Sequence, residues 1–329
     1  MDAIIKEKIH IGISACQFGA KVRYNGKGQD VTRLIGRERA DFVWHPVCPE
    51  VMSGLGVPRV PVSLRGGNGD DFWAGKAEVK SRDGDVLGDW MRLGCAACLD
   101  SLERAGIKAF VFMEGSPSCG VYRTSLKNRR LGHPPGIFGS LLLEKGFFLI
   151  PAPDLQSPIR WWDWRRRLFA FLWLDAKPFD RAGEAVECWH ILKFLCQELS
   201  RSEADSLGKE IASLKGVGPE ALQALKRRML DLLRRPSDIQ NIKQSLWKNY
   251  RFLNKRFGIE SETVKMPTEE RGMTRIAAEL LSLEIVTSRQ NLLFGPVPVH
   301  YDRSGSGSPE SDESDAADDP PPAEDAELT

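Results

Sequence analysis

Four short apolar runs, spaced by loops and helix-patterned stretches, dominate the first 150 residues of the chain. They are Ile9–Ala15 (IHIGISA), Ala40–Val47 (ADFVWHPV), Lys108–Met113 (KAFVFM) and residues 147–152 (FFLIPA). Each is rich in Ile, Val or Phe and too short for a buried helix, so each reads as a buried strand. Helices are expected from Leu87 to Ala105, with Gly106 closing the first, and from Phe138 to Lys145, with Gly146 closing the second. Parallel strands need long crossovers, and helical crossovers produce this rhythm. The expected fold is therefore α/β, a parallel, doubly wound, Rossmann-like sheet over residues 1–155. The Gly- and Pro-rich stretch from Gly54 to Asp71 reads as a long functional loop.

After Pro158 the character changes. Trp161, Trp162, Trp164 and Trp173 crowd one stretch, and helical periodicity runs from Ala185 to Phe257 and from Glu269 to Leu293. A mainly helical, basic domain is expected at 160–300, with the Trp/Arg run near 161–167 as an interface core whose arginines face water. From Ser304 to Thr329 there are nine acids and no Lys or Arg, so the chain up to Arg303 holds all 46 basic residues against 36 acids, a net +10. The segment 304–329 lacks the apolar groups to offset its ordering entropy and is expected to be a disordered acidic tail, with shielding of a basic surface as a second role.

The first residues read as neither a secretory leader nor a membrane span, and the apolar stretch after Trp161 is broken by Arg165, Arg166, Arg167 and Asp175, so no span is expected there. Seven widely scattered cysteines show no disulfide pattern and fit a reducing cytoplasm.

Cys16, Cys48 and Cys119 each follow one of the strand candidates. In a parallel sheet they would meet at the carboxyl edge, where open α/β sheets bind ligands. Strand ends near helix N-termini favour the thiolate, the form that binds metal. Three thiolates suit an iron–sulfur cluster with one iron free of protein ligands. The gaps of 32 and 71 residues match no compact ligand motif, however, and plain buried cysteines fit the spacing as well. Other sites are weaker. Cys95 and Cys98 lie three apart on one helix face and read as core, as do Cys188 and Cys196. His45 reads as a satisfied strand-end histidine. RGGNGDD at 65–71 lacks the features of a phosphate loop. IASLKGVGPEALQALKRR, residues 211–228, resembles a helix-hairpin-helix element whose Gly216–Gly218 turn, with Lys215, Lys226, Arg227 and Arg228, could meet a nucleic-acid backbone.

Four blocks, ISACQFGAKVRYNGKG, VCPEVMSGLGVPRVP, SPSCG and GIFGSLLLEKG, resemble the thiouracil desulfidase family in content and order. The resemblance covers a little under half the chain. It implies a 4Fe–4S cluster held by Cys16, Cys48 and Cys119, with Glu50 and Ser116 catalytic and Ser14 and Ser118 contacting substrate. It also implies a non-redox, hydrolase-type C–S cleavage of a 2-thiouracil-like thiopyrimidine: sulfur binds the open iron as Lewis acid, and Glu50 activates water. Met113 and Ser63 depart from the family pattern, at positions where many relatives carry lysine and glutamate. Two other functions follow from the same residues. One is a nucleic-acid-binding protein that presents thiolated RNA or DNA through residues 211–228. The other is a regulator that keeps the cluster without turnover.

Overall fold

The computed structural model describes residues 3–124, 134–214, 216–290, 292 and 294–303. The 304–329 tail and Lys215 lie outside the described residues. The strands are β1 (Ile4–Ile5), β2 (Ile9–Ser14), β3 (Phe42–Val47), β4 (Val62–Arg65), β5 (Glu78–Ser81), β6 (Ala109–Phe112), β7 (Phe148–Pro151) and β8 (His300–Tyr301). The helices of the first half are α1 (Pro49–Met52), α2 (Gly69–Trp73), α3 (Gly88–Arg104) and α4 (Ile137–Glu144). Those of the second half are α5 (Pro158–Asp175), α6 (Ala182–Leu199), α7 (Arg201–Ala212), α8 (Pro219–Leu233), α9 (Ile239–Phe257) and α10 (Met273–Arg289).

The central sheet has the order β3-β2-β6-β7, all parallel, as the strand rhythm predicts. Chain order reverses direction between β2 and β6, which makes their carboxyl ends the topological switch point. Register pairs Ile9 with Phe42 through Ser14 with Val47, and Gly12 with Phe110. Side chains alternate accordingly. Ile9, Ile11, Ile13, Val111 and Ile150 face one side and join the core with α5, whereas Phe110 and Phe112 face the other and pack on α3 and α4. Gly12 is required on that second face, because a Cβ there would overlap the Phe110 ring.

Two expectations give way to tertiary structure. The stretch from Gly54 to Asp71 is not all loop: it contains β4, which pairs antiparallel with β5, and the start of α2. The pairing partner lies beyond the stretch, so local composition could not show it. The arginines of the Trp/Arg run do not face water. Arg166 and Arg167 are fully buried inside α5, which has apolar neighbours all round. Asp163, one turn earlier, accepts from both, at 3.1 Å from Arg166 Nε and 3.0 Å from Arg167 Nε. Glu198 and the Pro296 carbonyl also accept from Arg166, and the Leu233 carbonyl accepts from Arg167 Nη1. Their guanidinium planes cover Trp162 and Trp164 at 4.3 and 4.0 Å from the ring centroids. The boundary expected between 155 and 160 falls within one continuous apolar core that runs from the sheet through α5 to α8. No helix among the described residues is long and apolar enough to cross a membrane.

Candidate active site

The three strand-end cysteines open into one cavity of about 250 Å³ at the switch point. Cys16 sits in a 3-10 turn directly after β2, Cys48 is the N-cap of α1 directly after β3, and Cys119 lies in the turn that follows β6. The turn that carries Cys119 is built by its own serine: Ser116 Oγ accepts from the backbone N–H of Ser118 (3.3 Å) and of Cys119 (3.1 Å). Gly120 lets the chain fold back, since a Cβ there would overlap the carbonyls of Arg123 and Ser116.

Gln17 Nε2 lies 3.8 Å from Cys16 Sγ, the Ser14 side chain favours the Cys119 thiolate, and the amides of Glu50 and Val51 at the start of α1 favour that of Cys48. The thiols are nonetheless held neutral. Burial pushes the Cys16 thiol up to about 11 and raises Cys48 and Cys119 as well. Desolvation of an unpaired thiolate outweighs the N-terminal donors, and each thiolate would repel the others. The lowered thiol range expected for strand ends is thus reversed in the protein alone. Bound metal would invert the balance, because a coordinating thiol gives up its proton.

Glu50 extends from α1 into the same cavity. Its Oε1 accepts from the Ser118 hydroxyl at 2.6 Å, and Ser118 Oγ lies 3.1 Å from Ser116 Oγ. Its Oε2 accepts from Arg59 Nε at 2.9 Å and from Arg59 Nη2. Arg59 also donates to the carbonyls of Val22 (2.9 Å) and Gly56 (3.1 Å), which fixes the guanidinium against two loops. Of the two serines predicted to touch substrate, Ser118 faces Glu50. Ser14 is buried, accepts from the Met113 N–H at 3.1 Å and supports Cys119. Met113 lines the cavity, with its sulfur 2.8 Å from Gln17 Nε2. Ser63 lies on β4 and hydrogen-bonds toward β5 and Arg65.

Sequence reasoning missed four residues. Arg59 lies in the quoted VPRVP block, but its partner became visible only in the fold. Gln17 is adjacent to Cys16, and its burial was the missing signal. Thr124 lines the cavity with a buried hydroxyl that has no hydrogen-bond partner among the described residues. Tyr24, 42% exposed, forms part of the rim.

Other predicted groups lie elsewhere. Cys95 and Cys98 are buried on α3 behind Cys48 and do not line the cavity. Cys188 and Cys196 are buried in the helical region. His45 stacks on His10, with Nε2 3.0 Å from His10 Nδ1. In the 211–228 segment, Lys226 is buried against the carbonyls of Asp175 (2.9 Å) and Lys177 (2.5 Å), and Arg228 is ion-paired to Glu210. Of the described cations there, Arg227 alone is left exposed without an ion pair.

Among the described residues no group of three or more His, Cys, Asp or Glu side chains is set to hold a single metal ion. A cluster makes a different demand, because its irons are separate and each takes its own thiolate. Three thiols around one cavity fit that demand.

Comparisons with known proteins find three similarities, all in the N-terminal half. The uncharacterized protein YbbK of Bacillus subtilis (strain 168) is 27% identical over 151 residues, which cover 44% of this chain and 97% of that protein. A solved structure described as a 4Fe-4S-dependent thiouracil desulfidase, TudS, shares 28% identity over 46% of this chain and 93% of its own, with a TM-score of 0.38. Residues 11–153, which include all three converging cysteines, Glu50, Arg59 and both serines of the SPSCG turn, match the family described as 2-thiouracil desulfurase.

Proposed function

We propose that this protein hydrolyses the carbon–sulfur bond of a thiolated pyrimidine of the 2-thiouracil kind, with a 4Fe–4S cluster held by Cys16, Cys48 and Cys119. The observation that carries the reading is a carboxylate, Glu50, held between an arginine and a serine in the cavity that three thiols share. When bound, the cluster supplies Lewis acidity at the iron that has no protein ligand.

The chain's own residues do the rest. Tyr24 at the rim offers a face for the ring, and the unpartnered Thr124 hydroxyl offers a hydrogen bond to a polar edge of the base. Glu50 Oε1 takes a proton from the attacking water, directly or through Ser118. Arg59 keeps Oε2 occupied, so the proton is directed to Oε1. The balance is C=S plus H₂O giving C=O plus H₂S, with no change in oxidation state. Ser116 acts mainly by building the turn that presents Cys119.

Anaerobic purification with iron and sulfide quantification, followed by incubation with 2-thiouracil, tests the reading. About four irons per chain and equimolar release of sulfide and uracil are expected for one 4Fe–4S cluster. A preparation without iron overturns it. Bound iron with thiouracil binding but no sulfide release would replace it with a non-catalytic regulator.

A further inference from the structure

Helix α9 carries five cations, Lys243, Lys248, Arg251, Lys255 and Arg256, and no acid. Its apolar face is already occupied: Ile242, Leu246 and Leu253 pack with Ile276, Leu280 and Leu283 of α10. Lys243 is buried, but Lys248, Arg251, Lys255 and Arg256 are exposed, and none of these four is ion-paired to a described residue. Along the same helix and its neighbour α6 runs a groove of about 790 Å³, lined by Phe194, Asn241, Gln244, Lys248, Phe252 and Gly295, among others. The rings are open to solvent: Phe194 is 43% exposed and Phe252 58%. Aromatics, amides and unpaired cations together make a surface built for an anionic, extended ligand, and nothing in the desulfidase reading uses it.

The chain supplies such a ligand. Segment 318–325 reads DDPPPAED: three consecutive prolines flanked by four acids. Proline-rich segments dock in aromatic-lined grooves because little entropy is lost in holding them extended, and their free carbonyls accept from side-chain amides. We infer that residues 318–325 dock in cis on the α6–α9 groove. The prolines lie against Phe194 and Phe252, Asn241 and Gln244 donate to the backbone, and the acids meet Lys248, Lys255 and Arg256.

The reach is sufficient. Gly295 lines the groove, and Arg303 is eight residues further on, at most about 29 Å away. The fifteen residues from Arg303 to Asp318 extend up to about 50 Å, so the segment returns with slack. Tethering makes the encounter intramolecular, at an effective concentration on the order of millimolar. An acidic, proline-bearing segment fits better than an anionic membrane, because the exposed Phe194 and Phe252 line a groove between two helices, which takes an extended chain more readily than a flat bilayer. The docked segment would compete with other polyanions for this groove. The inference does not depend on the desulfidase reading.

Zero-length carbodiimide cross-linking of the full chain, mapped by mass spectrometry, tests it. At low salt, Lys248 or Lys255 should couple to acids in 318–325 within one chain. The yield should fall at least fivefold in 0.5 M NaCl (about a 4 Å screening length) and again with Phe252→Ala. Coupling spread evenly over the surface lysines, or found only between isotopically distinct copies, overturns the inference. A second arm measures binding of a 20-nucleotide oligothymidylate to the full chain and to a full-length variant carrying D318N, D319N, E324Q and D325N. At least fivefold tighter binding by the variant supports a closed groove, and equal binding overturns it.

Discussion

The guanidinium of Arg59 donates from both Nε and Nη2 to a single carboxylate oxygen of Glu50, Oε2, and leaves the other oxygen to Ser118. The two residues are nine apart in sequence and both nearly buried. A carboxylate held this way is fixed in direction, which a base acting on water requires.

Glu50→Gln should lower kcat for thiouracil desulfuration by about 10²- to 10⁴-fold, the usual range for loss of a general base. Iron content should stay unchanged, because Glu50 is not a ligand in this scheme. Steady-state kinetics alongside iron analysis check both statements, and an active variant would remove Glu50 from the chemistry.

Arg59→Ala leaves a buried carboxylate without its cation, a change that costs about 3–5 kcal/mol for a fully buried pair and less here, where both side chains keep some solvent. The expected outcome is a lower Tm and a kcat loss that approaches that of Glu50→Gln. Arg59→Lys should recover most of the stability and only part of kcat, because an ammonium cannot reproduce the two-pronged contact. Equal recovery of both would reduce Arg59 to a structural role.

Gly94 sits where α3 passes under α1, and a Cβ there would overlap Ser53 Oγ and the Pro49 carbonyl. Gly94→Ala should destabilise the protein by about 1–3 kcal/mol through overpacking. It should also cost iron occupancy, because α1 positions Cys48 and Glu50. Thermal denaturation and iron content report the two effects separately.

Arg166→Met removes the cation shared by Asp163 and Glu198 and leaves the buried Glu198 without one, while Asp163 keeps Arg167. A loss of about 3–5 kcal/mol is expected, seen as a shifted denaturant midpoint. Replacing Arg166 and Glu198 together with apolar residues of similar volume should recover much of it, since the pair is expensive mainly when broken and Asp163 stays paired with Arg167.

His45 is held below its ordinary range, first by burial and then by the neighbouring His10. The folded state therefore binds this proton less readily than the unfolded chain, so stability is higher above pH 6.5 and declines as pH falls through the lowered folded value. Tm measured from pH 7.5 down to 5 should drop, and His45→Gln should flatten part of that drop. An unchanged profile would place the titration elsewhere.

The strands, their order along the chain and the cysteines at their ends were legible without a structure, because apolar period and turn chemistry are local properties. The resemblance in four blocks added the cluster and Glu50 as expectations. Three things waited for tertiary structure. The reversal of strand order between β2 and β6 gathered the sulfurs into one cavity. The folded loop from Gly54 set Arg59 on Glu50. Burial decided the charges, holding the cysteine thiols neutral and drawing Arg166 and Arg167 into the core beside Asp163. The physical reason is common to all three: sequence fixes what each residue can donate, accept or bury, but dielectric surroundings and long-range partners exist only once distant segments are packed together.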